Sequence, residues 1–338
     1  MFDRLTGTIE YFKKDSKDLL FDVSQPASVG VTSIIQNIGK VTNSGVEIEL
    51  DYNAFKNKDW SVSVGANATF VKNKIKNLPA TMKENGYISG SKKWLEGKSI
   101  YEFWLRQWHG VDPQTGDGLY VADVSKYNQG NIGTGDGNIT QSQFDEYKKT
   151  VVTIDGKELT NSYTYAKYDF SGSSIPDVYG GFNVRVSYKN FDLAAVFSYQ
   201  LGGQVLDTNY ATMMSMTEFG YAQSPDLLKA WKQAGDITEV PRIDNSAAHT
   251  TNIGQSYSTR WLTSSDYLNL RSVTIGYQLP KTWLSKVMLK SARLNLTAEN
   301  LFMLKARQGL NPMANYSGVT YNEYMPSRNI TLGLNVSF

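Results

Sequence analysis

Residues 326–338 read PSRNITLGLNVSF, which sets Ile330, Leu332, Leu334, Val336 and Phe338 on one side of an extended chain. Asn329, Thr331, Gly333, Asn335 and Ser337 fall on the other side. Strict period-two alternation specifies a strand with one apolar and one polar face. The segment is long enough for the roughly 9–11 residues that a tilted membrane-crossing strand needs. A soluble sheet can carry the same pattern once, so what matters is whether it recurs.

It does recur. Residues 5–12 alternate Leu5, Gly7, Ile9 and Tyr11 against Thr6, Thr8 and Glu10, then run into a polar stretch at 13–18. Residues 46–52 put Glu47, Glu49 and Asp51 on one face and Val46, Ile48, Leu50 and Tyr52 on the other. After a turn at 53–59, Trp60, Val62, Val64, Ala66, Ala68 and Phe70 alternate with Ser61, Ser63, Gly65, Asn67 and Thr69, which predicts a hairpin with aromatics at its closed end. A second hairpin turns at Lys189-Asn190, between Phe182–Tyr188 and Phe191–Tyr199 alternations. A third joins Val273, Ile275, Tyr277 and Leu279 to Leu294, Leu296 and Ala298, with Leu268 and Leu270 out of phase. That phase break predicts a bulge near Arg271-Ser272.

Between the hairpins lie Gly/Asn/Ser/Asp-rich stretches at about 73–100, 109–177, 206–258 and 305–325, much longer than the two-to-five-residue turns of compact hairpins. Short turns alternating with long loops, together with aromatic strand ends, match an outer-membrane barrel. The expected fold is therefore all-β, an antiparallel transmembrane β-barrel segment of about eight spanning strands with long extracellular loops. The aromatic run at 101–108 would spoil the even strand count if it crossed, so it belongs to an external loop. On this reading Glu47, Glu49, Asn67, Asn183, Arg185, Arg293 and Asn295 face a wet lumen, while the intervening apolar residues face outer-membrane lipid. The alternative is a soluble or surface-attached all-β glycan-binding module, whose charged rows would lie outside and whose apolar rows would fold inward.

Composition removes other classes. No apolar run reaches the roughly 18–20 residues of a membrane helix, so a spanning chain must use closed β structure. A net charge of +2 with dispersed basic residues gives no case for nucleic acid. Cysteine is absent, which excludes thiolate chemistry and disulfides. The two histidines, His109 and His249, fall in predicted loops, where packed or solvated imidazoles are expected, and with no partner constellation in the sequence neither a catalytic triad nor a zinc motif is expected. Paired-carboxylate glycosidase chemistry has no motif either, and Glu47, Glu49 and Asp51 read as solvated lumen groups. GTGDGNITQSQFDEY at 133–147 offers Asp136, Asn138, Asp145 and Glu146 as oxygen donors but misses the calcium-loop register, so a flexible Gly-rich loop is expected. No cofactor is expected. Trp94, Tyr101, Trp104 and Trp108 sit in a stretch placed outside the membrane and are the candidate substrate or partner contacts.

QNIGKVTNSGVEIEL (36–50), GVDPQTGDGLY (110–120), IPDVYGG (175–181), YKNFDL (188–193), WKQAGDITEVPRI (231–243), STRWLTSSDYLNLRSVTIGYQLP (258–280) and AENLF (298–302) follow one another as they do in a known group. The chain resembles the C-terminal barrel part of the SusC/RagA-type TonB-dependent outer-membrane transporters over nearly its whole length. The resemblance implies a barrel of about 22 strands with a plugged lumen. It implies residence in the cell outer membrane and uptake of oligosaccharides in first place and peptides in second. It also implies a SusD-like surface lipoprotein as lid and TonB–ExbB–ExbD as the energy source. By the same resemblance Leu334, Val336 and Phe338 form the signal read by the barrel assembly machinery. Met1-Phe2-Asp3-Arg4 runs straight into strand-like sequence, so residues 1–338 are expected to be part of a longer frame that carries the signal peptide, TonB box and plug domain.

Overall fold

The computed structural model describes residues 4–24, 30, 33–135, 137–216, 220, 222–254, 257–284, 289–321 and 323–338. Eight strands follow one another in a single antiparallel sheet: β1 (Leu5–Ser24), β2 (Ser33–Lys56), β3 (Trp60–Asn77), β4 (Val178–Tyr188), β5 (Phe191–Leu201), β6 (Tyr267–Gln278), β7 (Ser291–Glu299) and β8 (Asn329–Ser337). Each pairs with its neighbour in the chain, and the sheet is open between β1 and β8. A ninth, short strand, Met303–Lys305, extends the sheet by pairing with the upper part of β6.

The register explains why these sequences form one surface. Trp60, Tyr188, Phe191, Tyr277, Leu294 and Leu334 lie opposite one another across six strands. Two residues further along come Val62, Val186, Leu193, Ile275, Leu296 and Leu332, and then Val64, Val184, Ala195, Val273, Ala298 and Ile330. These apolar rows stand largely exposed, as Trp60 at 41%, Ile275 at 47% and Leu332 at 73% show, while the small Ala298 is buried. The lowest row is aromatic, with Trp60 and Tyr188 rings 4.3 Å apart and Phe191 and Tyr277 rings 4.3 Å apart. Phe70 lies ten residues above Trp60, which at roughly 3.3 Å per residue and a tilt near 40° makes a band about 25 Å tall. A sandwich exterior would have placed the charged rows outside and hidden these.

The bulge expected in β6 is present. Val196 pairs with Ser272 and Phe197 with Leu270, so Arg271 is the extra residue. Leu268 and Leu270 thereby return to the apolar face despite their phase in the sequence.

Two expectations were too short. The first strand does not end at residue 12, nor does the second begin at 46: pairing continues from Leu5 opposite Tyr52 up to Ser24 opposite Ser33. Backbone pairing needs no alternating apolar face, and here loop residues bury Val41 and Thr42 while Lys13 and Lys14 meet water, so alternation in the side chains stops before the strand does. Thr42 and Lys40 both bind Asp15 in this upper region, at 2.6 and 3.3 Å. Likewise 73–77 is strand, and the stretches expected as Gly-rich loops are folded.

Those loops hold most of the buried core. Phe103, Leu105, Leu206, Met214, Leu227, Val240, Trp261 and Val319 form one cluster that joins three loops. Tyr127, Ile139, Phe144, Tyr147 and Tyr165 form another around a helix, Gln141–Thr150. That helix begins with a capping box between Thr140 and Gln143, which satisfies two amide donors at its first turn. The short connections at 57–59 and 189–190 lie at the opposite end of the sheet from these loops. Lys189 takes a positive φ of 50° in the two-residue turn, the conformation that such a hairpin demands.

Candidate functional site

The polar face of the sheet and the loop assembly above it form the candidate site. All seven residues expected to face the lumen stand on that one face. Glu49 pairs with Asn67, and Asn67 with Gly181; Asp51 pairs with Gly65, and Gly65 with Asn183. Arg185 lies opposite Ser63, Arg293 opposite Gln278, and Asn295 opposite Gly276. Glu47, opposite Thr69, completes the set. The face is organised by hydrogen bonds. The Asn67 side-chain oxygen accepts from the Gly181 amide at 2.9 Å, and Arg293 donates to Asp192 at 2.7 Å and to Asn295 at 2.7 Å. Gly65 and Gly276 leave room for these groups. A Cβ at Gly65 would lie 2.5 Å from Asp51 Oδ1, and one at Gly276 would lie 2.2 Å from an Arg293 nitrogen.

Asn73, at the top of β3, fastens the loops to this sheet. Its side-chain oxygen accepts from the Ile100 amide at 2.9 Å and from Ser99 Oγ at 3.0 Å, and its nitrogen donates to Asn43. The aromatic run beyond it leaves the sheet, as the strand count required. Glu102–Arg106 enters a four-stranded loop sheet with Tyr87–Ser89, Lys92–Trp94 and Tyr168–Ser173, and Trp108–Val111 enters a second.

The four aromatic candidates do not converge on one pocket. Trp94 packs on the Val41, Ile75, Leu78 and Met82 cluster and donates its indole N–H to the Ile100 carbonyl at 3.1 Å. Tyr101 meets Tyr316 edge to face at 5.2 Å. Trp108 meets Tyr120 at 5.1 Å, with the Arg260 guanidinium 4.7 Å from its ring centroid. Trp104 lies on the opposite face of its strand from the buried Phe103 and Leu105, beside Tyr168 and Phe170. Trp94 and Trp108 thus act as packing groups, and Trp104 is the one set in a half-exposed row of rings.

Cations seated on rings are the feature the sequence reading passed over. Lys93 lies 4.1 Å from the Trp104 centroid, Lys98 4.6 Å from Phe170, and Arg106 4.6 Å from Tyr168. On the inner face Lys92 sits 3.1 Å above the Phe103 ring and donates to the Tyr101 carbonyl at 2.9 Å. Burial pushes the Lys92 ammonium down to about 7, against a smaller opposing effect of Glu102. Burial likewise brings Arg260 down to about 10, where it rests between Trp108 and Trp261 and donates to the Ile253 carbonyl at 3.1 Å. Arg307 pairs with the buried Asp207, which also caps the helix Thr208–Met213 and accepts from Thr320 at 3.2 Å. The available signal was the alternation in EFWLR and the lysines flanking Trp94, read together rather than as aromatics alone.

Both histidines lie in the loop assembly, each on a short regular element. His109 lies in a loop strand and is exposed; His249 lies in the helix Ala247–Ile253 and is buried, its Nε2 2.8 Å from the Arg242 carbonyl. Of the candidate calcium donors, Asp136 lies outside the described residues. Asp145 and Glu146 belong to the helix Gln141–Thr150, where they accept hydrogen bonds from Gln141 and Tyr165. The expected flexible loop is therefore half helix.

The family model described as "TonB dependent receptor-like, beta-barrel" matches residues 1–136. TonB-dependent receptor P3 of Formosa agariphila is 28% identical over 357 residues, covering 100% of this chain and 33% of that protein. Over residues 1–136 by the family model and over its whole length by these relatives, the chain is similar to the TonB-dependent receptor β-barrels. TonB-dependent receptor SusC of Bacteroides thetaiotaomicron is 24% identical to it, over 99% of this chain and 30% of SusC. The structure of the RagAB peptide importer in its "closed-closed" state matches it with a TM-score of 0.76 and 25% identity, over 99% of this chain and 34% of that one. The chain spans about a third of the length of the curated relatives it matches.

Proposed function

We propose that residues 1–338 are the C-terminal barrel part of a SusC/RagA-type importer in the cell outer membrane, and that its role is transport rather than catalysis. The observation that carries this reading is the two-faced sheet: apolar rows exposed over a band about 25 Å tall, with Glu47, Glu49, Asn67, Asn183, Arg185, Arg293 and Asn295 on the other face. The polar face would line the passage for nutrient oligomers, oligosaccharides before peptides. Their short hydrogen bonds along the wall would be exchanged for hydroxyl or amide groups of the substrate at little net cost. The folded loops would form the mouth on which a SusD-like lipoprotein closes. Gating would come from a plug and TonB box elsewhere in the protein, driven by TonB–ExbB–ExbD.

Likeness to SusC and to the RagAB importer supports the reading. The test is fractionation of the full-length protein. Retention in membranes through carbonate washing, heat-modifiable migration on gels and co-elution with a surface lipoprotein are expected. A freely soluble monomer would refute the reading.

A further inference from the structure

On the outer face of the loop sheet, three cations lie along a row of three rings. Trp104 pairs across the strands with Phe170, and Arg106 with Tyr168. The Trp104 and Phe170 centroids are 4.9 Å apart; Trp104 and Tyr168 are 6.2 Å apart with planes only 11° from parallel. Lys93, Lys98 and Arg106 rest on Trp104, Phe170 and Tyr168 respectively. Among the described residues none of the three cations forms an ion pair. The neighbouring Asp169 is held by Lys167 at 2.8 Å, and Glu102 is at the far end of its strand. Arg106 donates its Nε–H to the Tyr163 carbonyl 2.9 Å away, and its guanidinium also lies 4.7 Å from the Tyr163 ring.

We infer that this row is a recognition strip for an anionic oligosaccharide, its sugar rings lying along Trp104, Tyr168 and Phe170 and its carboxylate or sulfate groups meeting Lys93, Lys98 and Arg106. The inference rests on the importer reading above and names the charge of its cargo. The rings fix each cation in place, so little side-chain entropy remains to be lost on binding, and the free N–H groups retain capacity for charge-assisted hydrogen bonds. A flat strip without deep pockets suits the C–H faces of pyranose rings. A peptide would need pockets for alternate side chains. A neutral glycan would leave the cations unanswered. The link through the Asn73 side-chain oxygen, which accepts from Ser99 and Ile100, puts this sheet directly above β3, at the mouth of the proposed passage.

The test is titration of the purified full-length transporter, in complex with its lipoprotein, with an oligogalacturonate and with maltooligosaccharide and oligoglutamate of equal length. The oligogalacturonate is expected to bind at least about 10-fold more tightly than the neutral sugar at low salt, the margin shrinking as salt is added. Lys93→Gln, Lys98→Gln and Arg106→Gln should each weaken it roughly 5- to 10-fold while leaving the neutral sugar unchanged. Equal binding of charged and neutral sugars, or indifference to all three substitutions, would overturn the inference; so would oligoglutamate binding as tightly as the uronate. Heat-modifiable migration and lipoprotein co-elution are scored on the same samples, so a failed importer reading is distinguished from a failed charge assignment.

Discussion

Ile330 and Thr331 are adjacent on β8 and at nearly the same depth, yet they stand on opposite faces of the sheet. Ile330 belongs to the row of Val64, Val184, Ala195, Val273 and Ala298, four residues above the aromatic row along β3. At roughly 3.3 Å per residue and a tilt near 40°, this row lies about 10 Å above the girdle and close to the middle of the 25 Å band. Arginine at that depth on a lipid-facing position costs about 2–4 kcal/mol, between about 30- and 1,000-fold in the folding equilibrium. Thr331 lies opposite Thr297 on the polar face, where a guanidinium stays hydrated and the cost should remain within about 0.5 kcal/mol. The assay is reversible folding of the full-length barrel into lipid vesicles across a guanidinium gradient, followed by tryptophan emission and by heat-modifiable migration. Ile330→Arg should lower the folding midpoint strongly and Thr331→Arg hardly at all. Equal effects, or a larger loss at Thr331, would mean that the apolar rows do not meet lipid, and the membrane assignment would fail with them.

Lys92 gives the loops a pH dependence with a defined sign. Its folded value, about 7, lies below its ordinary 10.5, so the folded loop binds fewer protons than the unfolded one between those limits, and stability rises as pH climbs from about 7 toward 10.5. The Phe103 ring and the Tyr101 carbonyl favour the charge and offset part of the burial cost, which leaves about 2–4 kcal/mol across the window. Lys92→Met should flatten the dependence, read as hydrogen-exchange protection of residues 102–106 corrected for intrinsic rates; a slope that survives the substitution would exonerate Lys92. Phe338, just beyond the last strand and in phase in the sequence with Leu334 and Val336, is proposed as the assembly signal. Phe338→Ala should cut the amount of barrel reaching the outer membrane several-fold while folding into vesicles in vitro stays within about 1 kcal/mol; an equal loss in both settings would reduce the residue to a packing group.

The two-sided strands were legible because period-two alternation is local. Each of the eight strands of the sheet announced its faces through nearest-neighbour chemistry, and the phase slip between Leu270 and Val273 was enough to locate the bulge at Arg271. Residues such as Asn183 and Arg293 could be assigned to the polar face for the same reason, since parity alone decides the side of a strand. Their partners could not be assigned. That Arg293 meets Asp192, and that Gly276 is bare to let it, depends on which strands lie side by side and in what register.

The upper reaches of β1 and β2 were invisible because their side chains answer to loop contacts, such as those that bury Val41, and to solvent rather than to one apolar and one polar face. The loops hid more, since their order comes from contacts between segments far apart in the chain. Asp207 with Arg307, Arg260 between Trp108 and Trp261, and the cluster that holds both Phe103 and Val319 each join distant stretches. The sequence by itself determined the two-faced surface of the sheet, because a two-residue repeat in side-chain polarity is all that a strand with one apolar and one polar face requires. Only the tertiary structure decided which loop aromatics are packed and which carry cations into solvent, because that choice depends on which face of each loop strand the rest of the chain covers.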